Sequence, residues 1–210
     1  MSTPAPASTA VDDEVRALGA RGRWDDATSV VLRAWGDELA QYLAAVARSP
    51  TDGGDAFAVF AVDLWRGLPG FRGDASLRTW CYRLARHALA RTLRTPARRR
   101  QVALPSHAWA DLAAEVRSRT ATYLLTEVKD QVRALRDRLT PDDQAILVLR
   151  VDRDLPWRDI ARIMADEGET LTEPELVRRA AALRKRFERI KDELRALAQA
   201  AGLGSASALG

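Results

Sequence analysis

Apolar residues recur at helical spacing along most of the chain, and no stretch shows sustained strand-like alternation. From Trp24 to Ala47 this spacing runs through two segments, and Gly36-Asp37 marks a break between them. The pattern therefore predicts two helices in this region, within an all-α fold.

The next apolar segment is bounded by turn-forming residues on both sides. Ser49-Pro50 precedes it and Pro69-Gly70 follows it, which predicts a third helix from about residue 52 or 55 to 68. A fourth helix is expected to begin after Asp74 or Ser76.

That fourth segment, residues 71–94, has one apolar side and one basic side. Leu77, Cys81, Leu84, Ala85 and Ala88 share the apolar arc, while Arg83, Arg86, His87 and Arg94 lie on roughly the opposite arc. Trp80 lies on the border, where an indole beside cations either stacks on an unpaired base or packs against the core. From these residues alone, nucleic-acid binding and an ordinary solvated face are equally good interpretations.

A second group of helices is expected in the C-terminal half. Thr140-Pro141-Asp142-Asp143 has the cap residue, first-turn proline and acidic residues of a helix start. That helix is expected to break at residues 154–156, and another helix is expected from Trp157 to Met164.

The clearest local signal is the capping box Thr172-Glu173-Pro174-Glu175. A long helix with one continuous apolar seam is expected after it, with cationic residues away from the seam. A charged coiled-coil helix is one interpretation. The preceding helix at 157–164 favours a helix-turn-helix unit instead, whose second helix enters the major groove.

Composition narrows the class of protein. The 210 residues are 47% apolar and 30% charged with a net charge of +4, so affinity for a polyanion depends on local clustering of arginines. The stretch 91–100 supplies such a cluster without an acidic residue, although a basic linker would have the same composition.

Several kinds of site are not expected. Cys81 is the single cysteine and His87 and His107 are the two histidines, so neither a disulfide nor a metal or cofactor site is predicted. No acid, base and nucleophile set suggests a catalytic site, and an enzyme is not expected. Without a long apolar stretch or a leader pattern, the chain is expected to be cytoplasmic and not to bind membranes.

The segment FRGDASLRTWCYRLARHALARTLR resembles the part of bacterial sigma factors that recognises and melts the downstream promoter element, especially in the two-domain extracytoplasmic-function (ECF) type. The matching positions are Phe71, Arg72, Gly73, Ser76, Arg78, Thr79, Trp80, Tyr82, Arg83, Ala85 and Arg86. Leu-Thr-Pro at 139–141 and Asp-Ile-Ala at 159–161 resemble the family's upstream-element-binding domain.

The resemblance implies two small helical domains joined by a linker. The expected divisions are a disordered segment 1–23, a first domain 24–96, a linker 97–122, a helix-turn-helix domain 123–198 and a disordered tail 199–210. The first domain would bind the RNA polymerase core and melted DNA, and the second would bind duplex DNA.

The resemblance also implies three sets of site residues. For single-stranded DNA at the downstream element they are Phe71, Arg72, Ser76, Trp80, Arg83, Arg86, His87 and Arg94. For duplex DNA at the upstream element they are Arg158, Thr172, Glu175, Arg178, Arg179, Arg184 and Lys185. For the polymerase core they are Asp55, Phe57, Asp63, Leu64 and Trp65.

The expected partners are promoter DNA and the clamp and flap regions of core polymerase, with an anti-sigma protein as a further candidate. Two departures from the family are present: Phe57-Ala58-Val59 replaces a polar docking set, and the connection 165–171 is longer than the family's turn. A helix-turn-helix regulator that binds duplex DNA without polymerase is the main alternative, and an all-α interaction protein is another.

Overall fold

The computed structural model describes residues 6–94, 108–126 and 134–201, and every regular element in these ranges is helical. The fold is all-α, as the spacing of apolar residues predicts. The main helices are α1 (Pro6–Gly19), α2 (Trp24–Ala47), α3 (Pro50–Gly67), α4 (Leu77–Arg94), α5 (Ala108–Thr126), α6 (Pro141–Leu147), α7 (Trp157–Ile163) and α8 (Glu173–Ala200).

Helices α2, α3 and α4 form the centre of the N-terminal half. Helix α3 begins at Pro50, earlier than the expected start at residue 52 or 55, because the Ser49 hydroxyl caps it by accepting from the Asp52 N–H at 3.1 Å. The expected break at Gly36-Asp37 is wrong, because α2 is continuous there. Val116 of α5 packs so closely that a Cβ on Gly36 would lie 3.1 Å from it, so this glycine serves close packing within a helix.

Part of the N-terminal segment expected to be disordered is helix α1. Its Val15 is buried and belongs to the same apolar cluster as α2. Val11, Val15 and Leu18 have helical spacing, and their packing against the core cluster stabilises this short helix.

The segment expected to be a linker contains helix α5, which packs against α2 and α3. Trp109, Ala113 and Val116 are fully buried there. These three residues have helical spacing, and their burial makes α5 part of the core. The arginine cluster at 98–100 and His107 lie outside the described residues.

The C-terminal half follows the expected order of helices. The Thr140 hydroxyl accepts from the Asp143 N–H at 3.2 Å and starts α6, which continues into a π-helical segment, Val148–Asp152. Helix α7 follows, and the Thr172–Glu175 capping box begins α8. The local start signals were therefore sufficient to place α6 and α8.

One buried apolar cluster contains side chains from both predicted domains. It includes α2 to α5 together with Ala145, Val148, Leu155, Ile160 and Ile163 of the C-terminal half. That half also has small clusters of its own around α8, where the seam residues Leu176, Ala180, Ile190 and Leu194 are buried. The two halves therefore share packing that separate cores would lack.

Candidate nucleic-acid interface

The loop before α4 and the first turns of that helix hold a half-buried aromatic pair. The Phe71 and Trp80 rings have centroids 5.1 Å apart, tilted by 44°. Gly67 lies directly behind Trp80, since a Cβ at this position would be 3.1 Å from the indole. The pair is therefore supported from behind and is partly open to solvent in front.

A cavity of about 390 Å³ opens beside this aromatic pair. The loop residues Phe71 and Arg72 line one side with Trp80, and Leu171 and Leu176 line the other. Asp74 and Glu169 line the cavity as well as Arg72, so its aromatic wall suits a planar base while its charge is mixed. The cavity lies between the two halves of the chain.

Other residues of the segment 71–94 hold α4 in place. Glu38 of α2 accepts from the Arg78 Nε at 3.0 Å and from the Tyr82 hydroxyl. Ser76 accepts from the Thr79 N–H at 3.1 Å at the start of α4, so its hydroxyl has a capping role. Cys81 is fully buried, as its place on the apolar arc predicts, and burial raises the pKa of its thiol.

The basic face of α4 contacts the C-terminal half of the chain. Arg83 Nη2 donates to the Asp166 carbonyl oxygen at 2.9 Å and also to that of Glu169. Arg86 Nη2 lies 3.2 Å from Asp142 Oδ1, and its Nη1 lies 3.5 Å from the Ala165 carbonyl oxygen. These two predicted DNA contacts are therefore occupied within the chain.

His87 belongs to the same contact and is 7% exposed. Its Nε2 lies 3.0 Å from the Ala165 carbonyl oxygen, a geometry that the Nε2–H tautomer satisfies as donor. Burial lowers the pKa of His87 below its ordinary value of 6.5, although the Ala165 carbonyl and Glu167 act in the opposite direction. The neutral imidazole is favoured in this position.

Arg91 extends the contact by one turn. Its Nη1 lies 2.6 Å from Glu167 Oε1, and its Nη2 pairs with Asp63 of α3. Arg72 and Arg94, by contrast, are exposed. The predicted single-strand set is thus divided between exposed residues and residues engaged by the other half.

Helix α8 presents a basic face to solvent opposite its buried seam. Arg178, Arg184 and Lys185 are exposed and form no ion pair with any acid in the described ranges. Val177, 53% exposed, lies beside them as one of the few exposed large apolar residues among those described. An exposed apolar side chain between cations suits a base edge with a methyl group, which the major groove presents at thymine.

The remaining predicted duplex contacts have partners within the chain. Glu175 Oε2 accepts from the Thr172 N–H at 2.9 Å and its hydroxyl at 2.7 Å, and these bonds lower the pKa of Glu175. Arg179 pairs with Glu169, and Arg158 pairs with Glu173. Among the residues predicted to contact duplex DNA, Arg178, Arg184 and Lys185 are thus the exposed ones without an ion pair in the described ranges.

The predicted polymerase-binding residues lie on α3, which is covered by neighbouring helices. Phe57 and Leu64 are fully buried, so the expectation that they present docking side chains is corrected by their place in the core. Asp55 lies 3.7 Å from Arg117 of α5, and Trp65 Nε1 donates to Asp25 Oδ1 at 2.7 Å. Burial raises the pKa of Asp63, which pairs with Arg91.

No family model, curated protein or solved structure matches the chain.

In the described ranges, no helix is long and apolar enough to cross a bilayer. The same residues contain no group of three or more histidine, cysteine and acidic side chains placed to hold a metal ion.

Sequence reasoning missed the residues that contact the basic face of α4. Asp142 was interpreted only as an acid beside a helix N-terminus, and the 165–169 segment only as a long turn. The available signal was the acidic composition of 166–169, which complements the arginines of α4.

Proposed function

We propose that the protein is a promoter-binding transcription initiation factor that acts with bacterial RNA polymerase core, in the manner of the ECF sigma factors it resembles. It would bind duplex DNA through α8 and unpaired DNA through the loop and first turns of α4. The partly exposed α3 residues Asp55, Asp63 and Trp65 would contribute to polymerase binding, and the buried Phe57 and Leu64 would not.

The observation that carries this proposal is the exposed basic face of α8. Its buried seam fixes the helix on α7 through Ala161, Leu176 and Ala180, and the opposite side leaves Arg178, Arg184 and Lys185 exposed. A helix that packs on the preceding helix and exposes cations is the arrangement by which helix-turn-helix proteins enter the major groove. Arg178 lies in the second turn of α8, and Arg184 and Lys185 lie farther along it. Arginine pairing with guanine is the commonest specific contact there.

A second surface supports strand capture in addition to duplex binding. The Phe71–Trp80 pair borders a cavity with room for a planar group, and Arg72 lies at its edge. Stacking of one base on an aromatic side chain contributes about 1–3 kcal/mol, which offsets the cost of unstacking that base. Duplex binding alone gives no reason for this pair.

Reconstitution tests the proposal. The purified chain is mixed with bacterial core polymerase and a library of promoter fragments, and co-elution and run-off transcription are measured. We expect a stable complex and transcripts whose start sites depend on the chain. Absence of core binding would refute the proposal, and the double variant Arg178→Ala with Arg184→Ala should retain core binding while losing promoter selection.

A regulator that binds duplex DNA without polymerase is a second candidate, because the α8 face is exposed without any partner. Such regulators usually bind palindromic sites as dimers. Footprinting of the chain alone distinguishes the two, since a strong palindromic footprint favours the regulator and dependence of the footprint on polymerase favours the initiation factor.

A further inference from the structure

The basic face of α4 is covered by one short segment of the same chain, residues 165–169, together with Asp142. The contact joins Arg83, Arg86 and His87 to backbone carbonyl oxygens of this segment. Arg86 and Arg91 add ion pairs with Asp142 and Glu167. Every one of these partners is an acceptor of hydrogen bonds.

We propose that this contact is an intramolecular lock in which the 165–169 segment and Asp142 compete with single-stranded DNA for the basic face of α4. The inference rests on the proposed function, because it names the nucleic acid that the lock excludes. Carbonyl and carboxylate oxygens take the places that the phosphate oxygens of a DNA strand would occupy.

The basic face of α4 cannot bind the 165–169 segment and single-stranded DNA at the same time, because the segment covers its hydrogen-bond donors. His87 is 7% exposed beneath the 165–169 segment, and Arg83 directs its Nη2 at two carbonyl oxygens of that segment. A phosphate chain cannot reach these donors until the segment moves away. Arg72 and Arg94 remain exposed at the ends of the face, so a strand can make its first contacts there.

Apolar packing between the two halves adds to the free energy needed to separate the 165–169 segment from α4. Ile160 and Ile163 of α7 and Val148 belong to the same buried cluster as α2 and α4, and separation of the halves would expose part of it. A partner that binds the open form better shifts the equilibrium by its differential affinity. Core polymerase is the partner that would supply this difference under the proposed function.

The test alters the acids of the lock and leaves the α4 residues unchanged. Asp142 and Glu167 are exposed by 51% and 60%, so Asp142→Arg with Glu167→Arg reverses both ion pairs without disturbing the core. The matched control is Glu14→Arg with Asp111→Arg, which changes the net charge equally at exposed positions away from the contact. Asp142→Asn with Glu167→Gln removes the ion pairs without adding positive charge.

Opening is measured by energy transfer between dyes on cysteines introduced by Ala114→Cys and Ala196→Cys, both at exposed positions. The native Cys81 thiol is buried and its raised pKa keeps it unreactive, so it does not compete for dye. Affinity for a fluorescent single-stranded oligonucleotide is measured by anisotropy in the same samples.

We expect the charge-reversal variant to show changed transfer and to bind the oligonucleotide about tenfold more tightly than the control, because a larger fraction of the chain is binding-competent. The neutral variant should change in the same direction by a smaller factor. The proposal is overturned if transfer is unaltered in both lock variants, or if affinity rises no more than in the control. Loss of core polymerase binding in all variants would refute the proposed function. It would not affect what the energy transfer between the dyes shows about opening of the lock.

Discussion

Trp80 is the residue whose role depends most on its immediate surroundings. Its indole packs beside Phe71 and against Gly67, which support one orientation of the ring and leave it half-buried. A fixed aromatic ring stacks on a base at a low cost in side-chain entropy. This separates Trp80 from Trp109, which is fully buried and has no open side.

Substitution of Trp80 should therefore weaken single-strand binding. We expect Trp80→Ala to reduce affinity for an unpaired oligonucleotide by about 1–3 kcal/mol, the value of one stacked base. Trp80→Phe should keep most of the affinity because it retains a ring. Anisotropy titrations measure both, with far-UV circular dichroism as the control for folding, and equal binding by Trp80→Ala and the wild type would contradict a stacking role.

The lowered pKa of His87 predicts that the free energy of unfolding depends on pH. Its pKa is lowered in the folded chain by burial, so the unfolded chain binds more protons between that lowered pKa and its ordinary value of 6.5. The free energy of unfolding should therefore rise with pH through this interval, and the stabilisation is lost as the pH falls below 6.5. The charged groups facing His87 are Glu167, Arg83 and Arg86.

His87→Gln isolates this contribution, because an amide can still donate to the Ala165 carbonyl oxygen but does not titrate. Urea unfolding at about pH 5 and about pH 8 should show a smaller difference for this variant than for the wild type. An identical difference in the two proteins would show that groups other than His87 cause the pH dependence.

At the scale of elements, α2 and α3 pack closely against each other at Gly53. A Cβ there would lie 2.5 Å from the Ala44 Cα, whereas a Cβ on Gly54 would first meet the Arg117 side chain at 3.6 Å. Two adjacent helical glycines thus have opposite surroundings. One permits the helices to pack, and the other has room for a side chain.

Alanine at these two positions should have opposite effects. Gly53→Ala forces the helices apart and should lower the free energy of unfolding by about 1–3 kcal/mol. Gly54→Ala should be neutral or raise it by up to about 1 kcal/mol, since alanine favours a helix interior. Chemical denaturation compares the two, and equal destabilisation would mean that both glycines are packed against backbone.

The same elements show which parts of the fold the sequence can predict. Helix starts at Thr140 and Thr172 were located correctly, because a cap depends on residues within one turn. The break expected at Gly36 was wrong, because this glycine permits close packing against Val116, which lies 80 positions away in the sequence. Helices α1 and α5 lie in segments expected to be disordered or a linker, although the apolar residues of each have helical spacing.

The features of the candidate site likewise divide into those that the sequence predicts and those that depend on packing between distant segments. The apolar and basic arcs of α4 and the exposed cations of α8 follow from helical periodicity, and the structure places them on the expected faces. The coverage of Arg83, Arg86 and His87 by the 165–169 segment depends on how the halves pack. No periodicity within α4 contains that information.

At the scale of the whole molecule, α5 links the packing of the N-terminal half. Trp109 is fully buried, with its ring 6.0 Å from that of Trp65, in a cluster that continues into the C-terminal half. Because the cluster is shared, its loss should affect the complete fold. A flexible connection between two separate cores would instead tolerate substitution within it.

Trp109→Ala should therefore lower the free energy of unfolding by about 3–5 kcal/mol, the usual cost of removing a buried tryptophan. The exposed neighbour Glu115→Ala should change it by less than about 0.5 kcal/mol. Far-UV circular dichroism and tryptophan fluorescence should report one coincident transition in the wild type, because both halves contribute to the same cluster. A loss below about 1 kcal/mol for Trp109→Ala would contradict the packing of α5 in the core, since surface substitutions have effects of that size.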